Sequence, residues 1–213
     1  MSKQYIWNYF KNKIKNEYGV AGLMGNLQAE SGLHCDRVQG DIPYSSYSQE
    51  YTAKVDNGTI SEHDFVYNAP NGKGYGLAQW TFWSRKQALY DMYKSGNYSS
   101  IGCVELACDY LWYELQNKYP TVLNTLINAT SIREASDVVL HDFENPADQS
   151  ESVEELREGL GKALYNELTG TSGNEGNEGG EGGEGGDEPS TPTPVKKKKF
   201  NFILFNAKRR KLC

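Results

Sequence analysis

From residue 170 onward the chain enters a stretch that cannot be packed, and this confines any core to what precedes it. Residues 170–188 repeat Gly and Glu with hardly an apolar side chain. Such a segment cannot offset its own ordering entropy. The Pro-bearing stretch up to Pro194 extends it as a stiffer, self-repelling linker. Charge follows the same boundaries. Residues 1–169 hold 14 basic and 22 acidic side chains, residues 170–195 hold six acids and no base, and residues 196–213 hold eight bases and no acid. The net charge of −6 therefore describes no single region. The chain reads as a folded domain over 1–169, a flexible linker over 170–195 and a basic–apolar–basic tail over 196–213.

Within the first region the apolar pattern is mainly helical. Ile6, Phe10 and Ile14 recur every fourth residue with Trp7 beside them, predicting a helix that ends near Gly19. A second helix is predicted from about Val20 through Leu23, Met24 and Leu27, stopping where Glu30-Ser31-Gly32 offers a left-handed C-cap. Residues 33–74 are polar and Tyr-rich, an irregular insertion with a short helix expected around 48–55 and a capped turn at Ser61. Val104, Ala107, Leu111 and Leu115 mark a longer helix ending before Pro120. Three Ser-x-x-Glu/Gln strings, at Ser84, Ser131 and Ser152, have capping-box form. The last of these predicts a helix burying Leu156, Leu160 and Leu164 on one face.

Two segments carry the chemistry. The string Gly25-Asn26-Leu27-Gln28-Ala29-Glu30-Ser31-Gly32 places a carboxylate on the last turn of an apolar helix. Burial and the negative helix end both disfavour its ionised form, as a glycosidase acid requires. The string Gly74-Tyr75-Gly76-Leu77-Ala78-Gln79-Trp80-Thr81 is a glycine-rich turn. There the backbone can approach a bulky ligand, and Gln79 can exchange hydrogen bonds with a sugar amide. Tyr75, Trp80 and Trp83 add flat faces of the kind on which pyranose rings pack. For a second carboxylate the insertion offers Asp36, Asp41, Asp56 and Asp64, and nothing in the sequence selects among them.

The order of helix–Glu-Ser-Gly, insertion and Gly-x-Gly-Leu-x-Gln resembles the lysozyme superfamily, which includes goose-type lysozymes and lytic transglycosylases. A closer similarity is to the phage tail-tip lysozymes over nearly all of residues 3–168. It is carried by residues 21–33, 51–56, 74–89, 131–137 and 143–148. The resemblance implies a mainly α, lysozyme-like α+β fold. It also implies a phage or prophage enzyme, needing no cofactor or metal, that hydrolyses the β-1,4 bond between N-acetylmuramic acid and N-acetylglucosamine of peptidoglycan. Glu30 falls on the family's general acid. Gln79, Tyr75, Trp80 and Gly76 fall on its substrate-cleft turn. Glu144, in Phe143-Glu144-Asn145-Pro146, is expected to hydrogen-bond structurally beneath the cleft, and Asn145 departs from the Arg usual there. Two alternatives stand beside hydrolysis: a lytic transglycosylase forming 1,6-anhydro products, and a silent glycan-binding or virion-assembly module.

The tail, residues 196–213, suits an anionic membrane or wall polymer, or a virion protein. With only the six-residue cluster Phe200–Phe205 between its basic ends it cannot span a bilayer. No base-reading module surrounds its charges, so nucleic acid is not expected. Met1-Ser2-Lys3-Gln4 lacks an apolar signal core. No run approaches the roughly 20 apolar residues of a membrane span. The expected locations are the virion tail, or the host cytoplasm with later release to the wall as an endolysin. Cys35, Cys103, Cys108 and Cys213 show no metal spacing and are expected to be reduced and structural.

Overall fold

The computed structural model describes residues 2–67 and 73–171. Helices carry these residues: α1 (Ser2–Ile14), α2 (Glu17–Ser31), α3 (Ser46–Asp56), α4 (Glu62–Val66), α5 (Trp83–Ser95), α6 (Val104–Asn117), α7 (Pro120–Asn128), α8 (Ile132–Val138) and α9 (Glu151–Thr169). A π-helical turn, Val139–Glu144, continues α8. The linker and tail, 172–213, lie outside the described residues. Among the described residues no helix is long and apolar enough to cross a membrane.

The expected α1 stripe is buried at Ile6, Trp7, Phe10 and Ile14. The helix ends sooner than its periodicity suggests, because Lys15 turns left-handed (φ 59°) and Asn16 starts the next helix. The Asn16 side chain accepts from the Tyr18 and Gly19 N–H groups and donates to the Ile127 and Ala129 carbonyls. One residue thus caps α2 and fastens it to the end of α7. Helix α2 is buried continuously from Gly19 to Leu27, the all-round burial of a central helix. Pro120, which ends the α6 pattern, also opens α7 at its first turn, where a missing N–H costs nothing. The apolar pattern alone does not predict that helix.

Of the three capping strings only Ser131 caps, accepting from the Glu134 N–H, while Glu134 reaches back to Thr130 instead of Ser131. Helices α5 and α9 start two residues earlier than their strings indicate, capped at Phe82 and Ser150 without a side-chain cap bond. The α9 face is also rotated from its expected position. Leu156 is exposed, and the buried positions are Arg157, Gly161 and Leu164. The reason lies in α2, against which α9 makes the most extensive helix contact of the domain. A Cβ on Gly25 would stand 2.4 Å from the Arg157 carbonyl and 2.7 Å from the Gly161 nitrogen. Bare backbone on both helices permits this approach, and it turns Arg157 inward.

The expected α+β character reduces to isolated bridges among the described residues. Tyr75 pairs with both Val38 and Trp80, and no ladder grows from them. The chain reverses at once through Gly76 (φ 76°) and Gln79 (φ 46°), which leaves no length for a strand. In the insertion the expected short helix is α3, and the expected capped turn opens α4, where Ser61 accepts from the Asp64 N–H.

Candidate active site

Glu30 sits one residue before the end of α2, which Gly32 closes in the left-handed conformation with its N–H on the Gln28 carbonyl. Its side chain keeps 22% of its surface exposed, and Oε1 accepts from Arg157 Nη2 at 2.6 Å. Arg157 is itself fixed by Asn26, whose Oδ1 accepts from Nη1 at 3.1 Å. The Asn26 amide in turn donates to the Gly22 and Ser136 carbonyls. The carboxylate is therefore held through α9, α2 and α8 together.

Arg37 joins this helix end to the glycine turn. It donates to the Ser31 and Asp41 carbonyls, while its own carbonyl accepts from Gln79 Nε2 at 3.1 Å. Gln79 gives its other amide hydrogen to the Gly76 carbonyl at 2.9 Å. Both amide hydrogens thus hold the turn, and the side-chain carbonyl is the end left to meet a ligand. Gly76 is fixed by space as well as conformation, because a Cβ there would lie 3.0 Å from the Trp80 ring. Arg37 thus links Ser31, the residue after Glu30, to Gln79 and through it to Gly76.

Tyr75 and Trp80 lie elsewhere than expected. They are 2% and 0% exposed, so neither presents a ring face to solvent. The Tyr75 hydroxyl bonds Thr52 Oγ1 at 2.8 Å, and the Trp80 indole donates to Glu114 Oε2 at 2.8 Å. Paired polar tips let these aromatics be wholly buried. Trp83 is the one of the three that stays exposed, at 57%, stacked on Tyr67 with centroids 5.8 Å apart and Phe82 exposed beside it.

Against Trp80 lies a buried charge cluster that the sequence did not announce. Glu114, 0% exposed, accepts from Trp80, from Arg85 Nε at 2.9 Å and Nη2 at 2.6 Å, and from the Tyr110 hydroxyl. Arg85 lies over the Phe143 ring, 4.9 Å from its centroid. Glu144, at the end of the π-helical turn, points its Oε1 into the interior, where the atom is shut off from solvent and has no hydrogen-bond partner. The expected structural bond at that atom is absent. Burial first, then the charge of Glu30, pushes the Glu144 carboxyl well above the usual carboxylate range, against Arg85 and Arg157. Arg157 Nε is likewise buried without a partner.

The four insertion carboxylates are engaged in local structure. Asp41 accepts from the N–H and hydroxyl groups of Ser45 and Ser48. Burial opposes its charge, but these bonds win and hold its carboxyl down at about 2. Asp56 accepts from Ser100 and Ile101, Asp36 from Tyr44, and Asp64 from Ser61. The acid whose ionisation the charge of Glu30 opposes is Glu144, 114 positions further along the chain. Arg157 was missed because a charged residue in a helix ordinarily reads as solvated. Its spacing four residues before Gly161 was the available signal.

These parts define a class: a helical domain with a partly exposed carboxylate at a helix end, backed by a buried guanidinium group and buried acids. The sequence model of the phage tail lysozymes matches residues 2–168, and the chain belongs to that family. Lysozymes act on peptidoglycan, so the activity is that of a phage peptidoglycan hydrolase in the broad sense. No curated protein matches the chain.

Proposed function

We propose that the domain is a muramidase, cleaving the β-1,4 bond between N-acetylmuramic acid and N-acetylglucosamine with Glu30 as general acid. The observation that carries this reading is the placing of Glu30. Its carboxyl is partly open to solvent, fixed from behind by Arg157, and tied through Arg37 to the Gly76–Gln79 turn. Glu30 would protonate the leaving glycosidic oxygen, a step that contributes about 10²–10⁴-fold in rate. The Gln79 carbonyl would accept from a sugar acetamido N–H. Trp83, with Tyr67 and Phe82, takes over the ring-stacking role first assigned to Tyr75 and Trp80.

A transglycosylase reading has one observation in its favour. Asp36, Asp41, Asp56 and Asp64 are all bound to local partners, whereas that chemistry relies on the substrate's own acetamido group. A silent module would have no use for an acid held this way. Glu30→Gln should abolish clearance of purified cell walls, and unchanged clearance would sink the assignment. Mass spectrometry of the fragments released by the wild type then separates the chemistries, since reducing muramic ends mean hydrolysis and 1,6-anhydro ends mean transglycosylation. Family membership points to the virion tail, where the enzyme would open the wall locally at infection.

A further inference from the structure

Helix α5 brings two neighbouring cations to the glycine turn, one to each end. Arg85 serves the exit, donating to Glu114, which accepts from the Trp80 indole. Lys86 serves the entrance, donating from Nζ to the Lys73 carbonyl at 2.7 Å. Lys86 is only 1% exposed, and among the described residues no carboxylate pairs with it. Burying an ammonium without an anion opposes folding, and an apolar side chain would fill the same space at less cost. The charge therefore calls for another reason, and the groups it touches supply one. Its Nζ lies 5.9 Å from the centroid of the Phe65 ring, which packs edge-on against Tyr75 at 5.2 Å. Residue 73 leads straight into Gly74, where a Cβ would stand 2.7 Å from the Gln79 backbone carbonyl oxygen. A shift at the Lys73 carbonyl thus passes directly to Gln79.

We propose that Lys86 is a positioning residue for glycan binding: its ammonium, tied to the Lys73 carbonyl, sets the Gly74–Trp80 turn and with it the ligand-facing Gln79 carbonyl. This rests on that turn meeting the glycan. The protonated form does the work, because a hydrogen bond from an ammonium is about twice as strong as one from a neutral amine. Attraction to the Phe65 ring also exists only with the charge. Burial opposes the charge of Arg85 too, but the bond to Glu114 outweighs it and raises its pKa. Lys86 has only burial, which draws it from 10.5 down to about 8. The entrance of the turn is the end that slackens as the solution becomes alkaline.

The charged groups on the elements packed against α5 are engaged elsewhere. On α4, Glu62 accepts from Gln87, and His63 Nδ1 stands 3.9 Å from Asp64 Oδ1. On α6, Glu105 is exposed, Asp109 accepts from Tyr9 and Tyr98, and Glu114 accepts from Arg85. On α5 itself, Asp91 accepts from Gln87, and Lys94 lies over the Tyr90 and Tyr93 rings. None of them moves Lys86 from where burial sets it.

The test compares the full chain with Lys86→Met, which keeps an unbranched stem and removes the charge. KM and kcat on soluble glycan fragments are measured on both sides of about pH 8, alongside Tm. At neutral pH the substitution should raise KM by up to about tenfold, the affinity carried by one hydrogen bond, with kcat nearly unchanged. Wild-type KM should climb as pH passes about 8, while that of Lys86→Met stays flat. Stability should move the other way. The folded-state pKa is the lower one, so the unfolded chain binds more protons between about 8 and 10.5, and the contribution of Lys86 to stability improves as pH rises through that window. Lys86→Met should therefore melt no lower than the wild type at neutral pH, with an advantage that shrinks in alkali. A lowered Tm and kcat without a pH-dependent KM would assign Lys86 to packing alone and overturn the inference. Equal KM in the two proteins, or a wild-type KM flat through the window, would do the same. A second measurement needs no substitution: in the unaltered protein the ¹⁵N signal of Lys86 Nζ should titrate at about pH 8, with the Gln79 amide signals shifting in step. Gln79 signals indifferent to that titration overturn the inference. Unchanged KM in Gln79→Ala would overturn it together with the turn's contact to glycan, and failure of the muramidase reading is seen separately, as wall clearance surviving in Glu30→Gln.

Discussion

Trp80 donates its indole N–H to Glu114 inside the domain, whereas Trp83, three residues on, stands more than half exposed against Tyr67. Two substitutions should therefore separate what sequence alone could not. Trp80→Ala opens a cavity and removes a donor from a buried carboxylate, so it should cost about 3–5 kcal/mol and lower Tm. Trp83→Ala should leave Tm nearly unchanged and raise KM for glycan with little change in kcat, as the loss of uniform binding does. The reverse pattern in thermal melts and kinetics would return the ring-stacking role to Trp80. The helix end at Glu30 and the turn over Gly76 and Gln79 were legible because Glu-Ser-Gly and Gly-x-Gly leave local marks. Aromatic burial leaves none, since Trp reads alike whether its face meets sugar or core. Arg157 and the unpaired state of Glu144 were also hidden, because both depend on partners far away in the chain.

At the scale of elements the decisive contact is α2 on α9. Gly25→Ala would drive a methyl into α9 backbone at 2.4 Å, and backbone cannot swing aside as a side chain can. Overpacking of this kind costs about 1–3 kcal/mol. Because it pushes α9 outward, it should also pull Arg157 from Glu30 and reduce activity. Gly159, on the same helix, faces open space, and a methyl added there would meet nothing within 4 Å. Gly159→Ala should therefore raise stability by up to about 1 kcal/mol. Denaturant melts of the two variants measure this contrast, and equal effects would contradict the packing described. The helices α1 and α6 were readable because each buries a regular apolar stripe. The face of α9 was misread, since its packing runs through a glycine and an arginine, which an apolar pattern passes over. The π-helical turn had no sequence signal, yet it is what presents Glu144.

For the whole molecule, the division at residue 169 predicts that a chain ending there keeps its activity on soluble wall fragments. Turnover of such fragments measures it, and loss of activity would refute the boundary. Any contribution of residues 196–213 would then appear only on intact walls or virions. Removing much more would have a different outcome. The contact between Glu30 and Arg157 spans 127 positions, and α9 is the last helix of the domain. A nascent or clipped chain that stops before α9 already contains the acid, the glycine turn and Glu144, but it has no cation to hold Glu30. On the proposed role of Glu30, wall-cleaving activity arrives only with the final helix, and a chain cut before α9 should fail to clear purified walls.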